Sequence, residues 1–182
     1  IITDTNVGEI YSEIVKKSLE AVGTKINIYK IRPGENSKNL KTVEDIYKYL
    51  SEKSILRTDL IIALGGGVCG DIAGFVSATY LRGINYINIP TSLLAQVDSS
   101  IGGKVGVNLP TGKNLVGAFY APTLVYIDYQ VLNTLPEKNF NEGMAEVIKY
   151  GAICDKSLLE LVKDTEVSRK KIEEIIYRCL MC

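Results

Sequence analysis

Three stretches of the sequence contain residue types that bind phosphates or move protons. The first is glycine-rich, follows the apolar run LIIAL and closes with Asp71. Glycines between a strand and a helix let backbone amides approach a phosphate, and the helix N-terminus adds positive potential. Gly65, Gly67 and Gly70 match G-x-G-x-x-G, although the usual fingerprint follows the first strand, and no acid ends INYINIP. We predict a phosphate site here, with a plain tight turn as the alternative.

Two lysine-containing loops, GGK and TGKN, form the second stretch. They place Lys104 and Lys113 beside flexible backbone, which suits an anionic ligand such as a phosphate or carboxylate. Neither is a Walker A loop, because GVNLPTGKN has five residues rather than four between its glycines and Asn114 replaces the magnesium-binding hydroxyl. Solvated surface lysines are the alternative. The same segment contains further polar residues, which favour a site: Asp98, Ser99 and Ser100.

The third stretch is AEVIKYG, in which Glu146 and Lys149 share one face of a predicted helix because they stand three residues apart. A surface ion pair is the ordinary interpretation. The pair is, however, embedded among Met144, Val147 and Ile148, so we expect it to be at least partly enclosed. Enclosed charge is often kept for ligands or metals rather than for stability.

Histidine and cysteine content limits the metal and redox chemistry available to the chain. There is no histidine, which excludes a histidine base, a Ser-His-Asp triad and histidine-ligated metal within these residues. The cysteines are Cys69, Cys154, Cys179 and Cys182. Their scatter favours free thiols in a reducing compartment over a disulfide framework, and the C-x-x-C formed by the last two has no second half.

Overall charge and hydropathy exclude several function classes. The 21 basic and 21 acidic residues cancel, so no general field attracts nucleic acid or an anionic membrane. No apolar run is long enough to cross a bilayer, and IITDTNVGEI lacks the order of a signal peptide. We therefore expect a cytoplasmic globular protein with neither nucleic-acid nor membrane partners.

Apolar periodicity supplies the elements that would position these residues. Helical spacing predicts helices over residues 10–22, 43–50 and about 71–80, and KINIYKI, LIIAL, INYINI and LVYID read as strands. SLLAQV is predicted as a short helix, and residues 99–122 have no clear structure. Alternating strands and helices predict an α/β fold with a parallel sheet, which binds ligands at the carboxyl ends of its strands. After LVYID, the spacing of apolar residues is typical of helices only.

Several longer motifs follow one another along nearly the whole chain, in the order GGGVCGDIAGF, YLRG, PTSLLAQVDSSIGGKVGVN, GKNLVGAFYAP, NTLP and GMAEVIKYG. Together they resemble the sugar-phosphate cyclases, and among them the 3-dehydroquinate synthase family. The resemblance implies a Rossmann-like NAD-binding domain at residues 1–136 and the beginning of an all-helical metal and substrate domain at residues 137–182. It also implies conversion of 3-deoxy-D-arabino-heptulosonate 7-phosphate to 3-dehydroquinate and phosphate, through reversible oxidation by NAD, phosphate elimination and an aldol ring closure.

The resemblance assigns residues to the cofactor, to catalysis, to the substrate and to a metal. The implied NAD contacts are Asp4, Asn6, Glu35, Lys38, Gly66, Gly67, Val68, Cys69, Gly70, Asp71, Thr91, Ser92, Asp98, Lys104, Lys113, Asn114, Val131, Leu132, Asn133 and Thr134. The implied catalytic residues are Asp98, Lys104, Glu146 and Lys149. The implied substrate contacts are Arg82, Asp98, Lys104, Asn114, Glu146 and Lys149, with Arg82 reaching a neighbouring subunit of a homodimer. Glu146 is the implied ligand of a divalent metal, zinc in most members and cobalt as an alternative.

The chain also departs from the family pattern. Members complete the metal site with two histidines of the helical domain, which this sequence lacks, so we expect a portion of a longer enzyme that alone binds NAD weakly and turns nothing over. The alternatives are a 2-deoxy-scyllo-inosose or valiolone synthase, a metal-dependent polyol dehydrogenase, and a non-enzymatic nucleotide-binding module.

Overall fold

The main body of the protein is a parallel sheet covered by helices. The computed structural model describes residues 1–163 and 170–182. Within these residues the sheet has five strands in the order β2-β1-β3-β4-β7, and every pairing is parallel. Its strands are β1 Ile2–Asp4, β2 Tyr29–Ile31, β3 Ile61–Gly65, β4 Tyr86–Pro90 and β7 Leu124–Val125. The predicted α/β class with a parallel sheet is confirmed.

Three helices cross between the strands and bring each connection back to the same edge. They are α1 Thr5–Glu20, α2 Leu40–Glu52 and α3 Gly67–Thr79. Short 3-10 turns occupy Glu35–Ser37, Tyr80–Arg82 and Tyr129–Thr134. The predicted start of α3 near Asp71 is four residues late, because Gly67 and Gly70 form its first turn instead of a separate loop. Asp71 consequently lies in the second turn.

A β-hairpin occupies the segment that the sequence left without structure. Strands β5 Lys104–Leu109 and β6 Gly112–Phe119 pair antiparallel, so the expected unstructured loop at residues 99–122 is wrong. Gly106 faces Gly117, and a Cβ added to Gly117 would lie 2.3 Å from the carbonyl oxygen of Val105. The hairpin also packs on α3, where a Cβ at Gly74 would lie 2.3 Å from a Val105 methyl. These glycines permit close packing rather than flexibility.

The predicted short helix SLLAQV is present but wider than an α-helix. It begins after β4, and its last turn is π-helical over Ala95–Ser99. Such turns are rare and often accompany functional sites. Here the wider turn places Asp98 and Ser99 beyond the end of β4, next to the glycine turn that follows β3.

The described residues after β7 are helical, as predicted. Helices α4 Glu137–Ile153, α5 Leu158–Leu161 and α6 Ile172–Leu180 form this part. The predicted helical stretches also include residues 164, 168 and 169, which lie outside the described residues. A domain boundary at residue 136 stays a prediction. In the described parts of the chain, no helix is both long and apolar enough to cross a membrane.

Two hydrophobic clusters stabilise these elements. The first joins the sheet, α2, α3 and β5, and includes Ile46, Ala63, Ile72 and Val107, each fully buried. The second joins α4, α5 and α6 to the π-helical segment through Leu93 and Val97. The apolar face predicted for α1 is only partly used, because Ile10 and Ile14 are 47% and 63% exposed.

Two of the four cysteines contradict the expectation of free thiols, and the other two agree with it. Cys154, which follows α4, forms a disulfide with Cys182, which follows α6, with their Cα atoms 6.0 Å apart. Cys182 therefore pairs with Cys154 and not with its C-x-x-C neighbour Cys179. Sequence spacing could not reveal this pair, because the two residues are 28 apart and meet only through the packing of α4 on α6. Cys69 and Cys179 are free and buried.

We expect the folded, oxidised protein to show no rapidly reacting thiol toward Ellman's reagent. Burial raises the pKa of Cys69 to about 12 and that of Cys179 to about 11, so neither forms the reactive thiolate near neutral pH. Mild reduction should expose two rapidly reacting thiols, those of Cys154 and Cys182. In Cys154→Ser, the thiol of Cys182 should react rapidly even without reduction. Two fast thiols in the untreated protein would contradict the disulfide.

Candidate functional site

A cleft of about 680 Å³ lies at the carboxyl edge of the parallel sheet, where β1, β3 and β4 end. This is where open α/β sheets bind ligands. Of the residues expected to contact the cofactor, those that line the cleft are Asp4, Asn6, Glu35, Lys38, Gly66, Gly67, Val68, Cys69, Asp71, Thr91, Ser92 and Thr134. The topology thus gathers residues separated by up to 130 positions into one cavity wall.

The floor of the cleft is bare backbone at the start of α3. A Cβ at Gly66 would lie 3.3 Å from Ser92 Oγ, and one at Gly67 would lie 2.8 Å from Ser99 Oγ. Gly66 occupies the N-cap without a side chain to cap the first-turn N–H groups. Those donors, together with the helix dipole, suit a phosphate. The predicted phosphate site therefore has the required geometry.

Asp4 ends β1, beside the glycine turn that follows the neighbouring strand β3, and is held in place by α1. Its carboxylate accepts hydrogen bonds from the backbone N–H groups of Asn6, at 2.9 Å, and Val7, at 3.1 Å. This N-cap fixes the carboxylate while leaving acceptor capacity toward the cleft. Sequence reasoning missed Tyr11, another cleft residue, whose hydroxyl is 2.7 Å from Thr134 Oγ1 and ties α1 to the segment before α4.

A buried lysine on the wall of this cleft is bonded to two residues that line a second cavity. The side chain of Lys38, only 6% exposed, places Nζ 2.5 Å from Asp71 Oδ2 and 2.5 Å from Asn114 Oδ1. Burial raises the pKa of Asp71, and the hydrogen bond from Lys38 opposes that rise. Lys38 therefore lies at the cleft as expected, with its ammonium bound to Asp71 and Asn114.

The second cavity has a volume of about 570 Å³ and lies between α3, the π-helical turn and the hairpin. Asp98, Lys104 and Asn114 line it, as the expectation of a joint cofactor and substrate site requires. Asp71 and Ser99 line both cavities. Lys113 lines neither, and its Nζ lies 3.9 Å from Glu35 Oε1 at the hairpin turn.

Several residues predicted for the site lie elsewhere. Gly70 packs against Asn88, and Leu132 is buried in the second hydrophobic cluster. Val131 and Asn133 flank Leu132 in the 3-10 turn and line neither cavity. Arg82 is exposed after the C-terminal end of α3, at the sheet edge opposite the cleft. The fold thus places Arg82 away from both cavities of its own chain.

Glu146 and Lys149 are hydrogen-bonded to each other on α4. The expected enclosure holds for Glu146, whose side chain is 17% exposed, but not for Lys149, at 51%. The hydrogen bond that Lys149 donates to Glu146 raises the pKa of Lys149, and the nearby Asp98 contributes in the same direction. The pair therefore lies close enough to Asp98, which lines the second cavity, to interact with it electrostatically.

A complete metal site does not form from the residues described. Among residues 1–163 and 170–182, no group of three or more histidine, cysteine, aspartate or glutamate side chains could hold a metal ion. Zinc normally takes three or four protein ligands. Glu146 alone does not meet that requirement.

Comparisons with known proteins agree with this geometry. The family model described as 3-dehydroquinate synthase N-terminal matches residues 28–142. A 3-dehydroquinate synthase from Clostridium kluyveri is 59% identical, over 98% of this chain and 51% of its own length. The chain therefore spans about half the length of the curated relatives it matches.

Two solved structures extend the comparison. A 2-deoxy-scyllo-inosose synthase complexed with carbaglucose-6-phosphate, NAD⁺ and Co²⁺ is 30% identical, with a TM-score of 0.80 over 99% of this chain and 51% of that one. The 2-epi-5-epi-valiolone synthase of Streptomyces hygroscopicus, with NAD⁺ and Zn²⁺ bound, is 27% identical, with a TM-score of 0.90 over 99% of this chain and 52% of that one.

Replacing Asp71 by asparagine should destabilise the fold, because the buried ammonium of Lys38 then loses its counter-charge. We expect Asp71→Asn to lower the free energy of unfolding by about 2 kcal/mol in urea titrations. Asp45→Asn is the matched control, since it removes one of the carboxylate partners of the exposed Lys41 and should change little. Equal effects of the two substitutions would show that burial of the Lys38 pair has no energetic consequence.

Proposed function

Because the chain belongs to the 3-dehydroquinate synthase family, we propose that it forms the NAD-binding part of an enzyme that makes 3-dehydroquinate and phosphate from 3-deoxy-D-arabino-heptulosonate 7-phosphate. The observation that carries the proposal is the bare glycine floor at the start of α3, inside a cleft whose lining contains most of the residues expected for NAD. Phosphate release in the proposed reaction makes the enzyme a carbon-oxygen lyase of aromatic amino acid biosynthesis.

NAD would lie along the first cleft. The first-turn amides of α3, from Gly67 onward, would bind the pyrophosphate, and the fixed carboxylate of Asp4 would accept a ribose hydroxyl. Support comes from the two related cyclases, both of which were solved with NAD⁺. Bound NAD supplies a hydride acceptor that the later reduction regenerates, so no net oxidation occurs.

The sugar phosphate would occupy the second cavity. Lys104 provides a cation and Asn114 a carboxamide on its wall, and both suit an anionic, hydroxyl-rich ligand. Asp98 faces the same cavity and is close enough to contribute to the raised pKa of Lys149. We propose that Asp98 orients the substrate and that Lys149 binds it, with Asn114 at the junction with NAD.

A divalent metal belongs to the proposal as a cofactor of the longer protein. One related structure contains Co²⁺ and the other Zn²⁺, and we propose zinc here. Glu146 would serve as one ligand, and the remaining ligands would have to lie outside the residues described. We therefore assign no reaction step to the metal from these residues.

The position of Arg82 supports a homodimer. Arg82 lies at the sheet edge opposite the cleft, so it cannot reach the substrate cavity of its own chain. We propose that it contacts the substrate phosphate in a neighbouring subunit of a twofold dimer. A cytoplasmic location remains the prediction from the sequence.

We expect the full-length protein to release phosphate from the heptulosonate phosphate without accumulating NADH. Chelation should abolish the release and added zinc should restore it, because the metal is proposed as a required cofactor. Inorganic phosphate and absorbance at the NADH wavelength are measured together. Stoichiometric NADH would indicate a dehydrogenase, and turnover of glucose 6-phosphate instead would indicate a 2-deoxy-scyllo-inosose type of cyclase.

Mixed dimers test the proposed role of Arg82. Arg82→Ala and Glu146→Gln should each be nearly inactive in the full-length enzyme, but randomly mixed subunits should recover about a quarter of wild-type activity, since half the dimers then contain one intact site. Lys149→Ala mixed with Glu146→Gln is the control and should recover nothing, because both residues serve the same subunit. No recovery in the first mixture would place Arg82 outside the partner's site.

A further inference from the structure

Asn108, near the end of β5, links the walls of the two cavities. Its Nδ2 donates a hydrogen bond to Glu35 Oε1 at 2.7 Å, and its Oδ1 accepts one from the backbone N–H of Asn114 at 2.7 Å. Its own backbone N–H donates to the carbonyl of Lys38 at 2.9 Å. The two strands of the hairpin and the distant segment that contains Glu35 and Lys38 thus meet at Asn108.

Both side-chain bonds require a carboxamide. The ionised carboxylate of Glu35 can only accept a hydrogen bond, and the backbone N–H of Asn114 can only donate one. The orientation of the Asn108 amide is therefore fixed by its partners. An aspartate would keep the acceptor and lose the donor, whereas an alanine would lose both.

The two partners of the Asn108 side chain line different cavities. Glu35 lines the first cleft, and Asn114 lines the second. Asn114 has a φ of 55°, which is uncommon for a residue other than glycine and needs support from neighbouring contacts. The bond from its N–H to Asn108 supplies that support, and its own Oδ1 is then placed to accept from Lys38.

We propose that Asn108 is a positioning residue that sets the geometry of both cavities at once. It orients Glu35 toward the cofactor and holds Asn114 in the conformation that presents it to the sugar phosphate. This inference rests on the proposed function, because it assumes that the first cleft binds NAD. Asn108 itself lines neither cavity and so acts through its two partners.

Substitution of Asn108 in two backgrounds separates positioning from general stability. In the full-length enzyme, Asn108→Asp places a second carboxylate against Glu35, and we expect NAD affinity to fall at least about tenfold. In the Glu35→Gln background the same substitution should lower NAD affinity by less than about threefold, because the glutamine amide can donate a hydrogen bond to the new carboxylate. Affinity is measured by calorimetric titration of NAD, and folding by the urea midpoint.

The controls make each outcome decisive. Asn85→Asp adds the same charge at an exposed position on the far edge of the sheet and should leave NAD affinity unchanged. Equal losses in both backgrounds, or no loss in either, would overturn the positioning role. Absence of NAD binding by the wild-type enzyme would instead refute the proposed function. If Asn108→Asp does not fold, Asn108→Ala is made instead, once in the wild-type enzyme and once together with Glu35→Ala. The loss of NAD affinity caused by Asn108→Ala must again be smaller when Glu35 is absent.

Discussion

The burial of a single ammonium group constrains the structure around both cavities. Lys38 is only 5% exposed, and an unpaired charge at that depth would cost several kcal/mol. Its partners come from the second turn of α3 and from β6 of the hairpin, so neither element can move away without leaving a buried charge unpaired. The shared wall of the two cavities follows from this one requirement.

Close contact between backbones is the second feature that shapes the site. Gly66 and Gly67 leave the start of α3 open toward the cleft, while Gly74, further along the same helix, lets the hairpin pack against it. One helix therefore has two glycine surfaces with different purposes. The first leaves hydrogen-bond donors open toward the cleft, and the second brings the hairpin close to Asp71.

Much of the architecture was predictable from the sequence, because hydrophobic period reports directly on burial. The runs LIIAL and INYINI became buried neighbouring strands, and α2 buried the expected Val43, Ile46 and Leu50. The hairpin was missed because Gly106 and Gly117 interrupt the alternation that marks strands, although they are paired. The spacing of apolar residues could not predict the disulfide or the contacts of Lys38 either, because both depend on packing between distant segments.

The wholly parallel main sheet has a consequence for how the chain folds. Parallel neighbours cannot be joined by a tight turn, so each pairing must wait for a helix to cross and for a long loop to close. Such topologies fold slowly and leave strand edges uncovered in the meantime. The hairpin, by contrast, joins strands that are adjacent in sequence, so its pairing does not have to wait for any crossover of the main sheet.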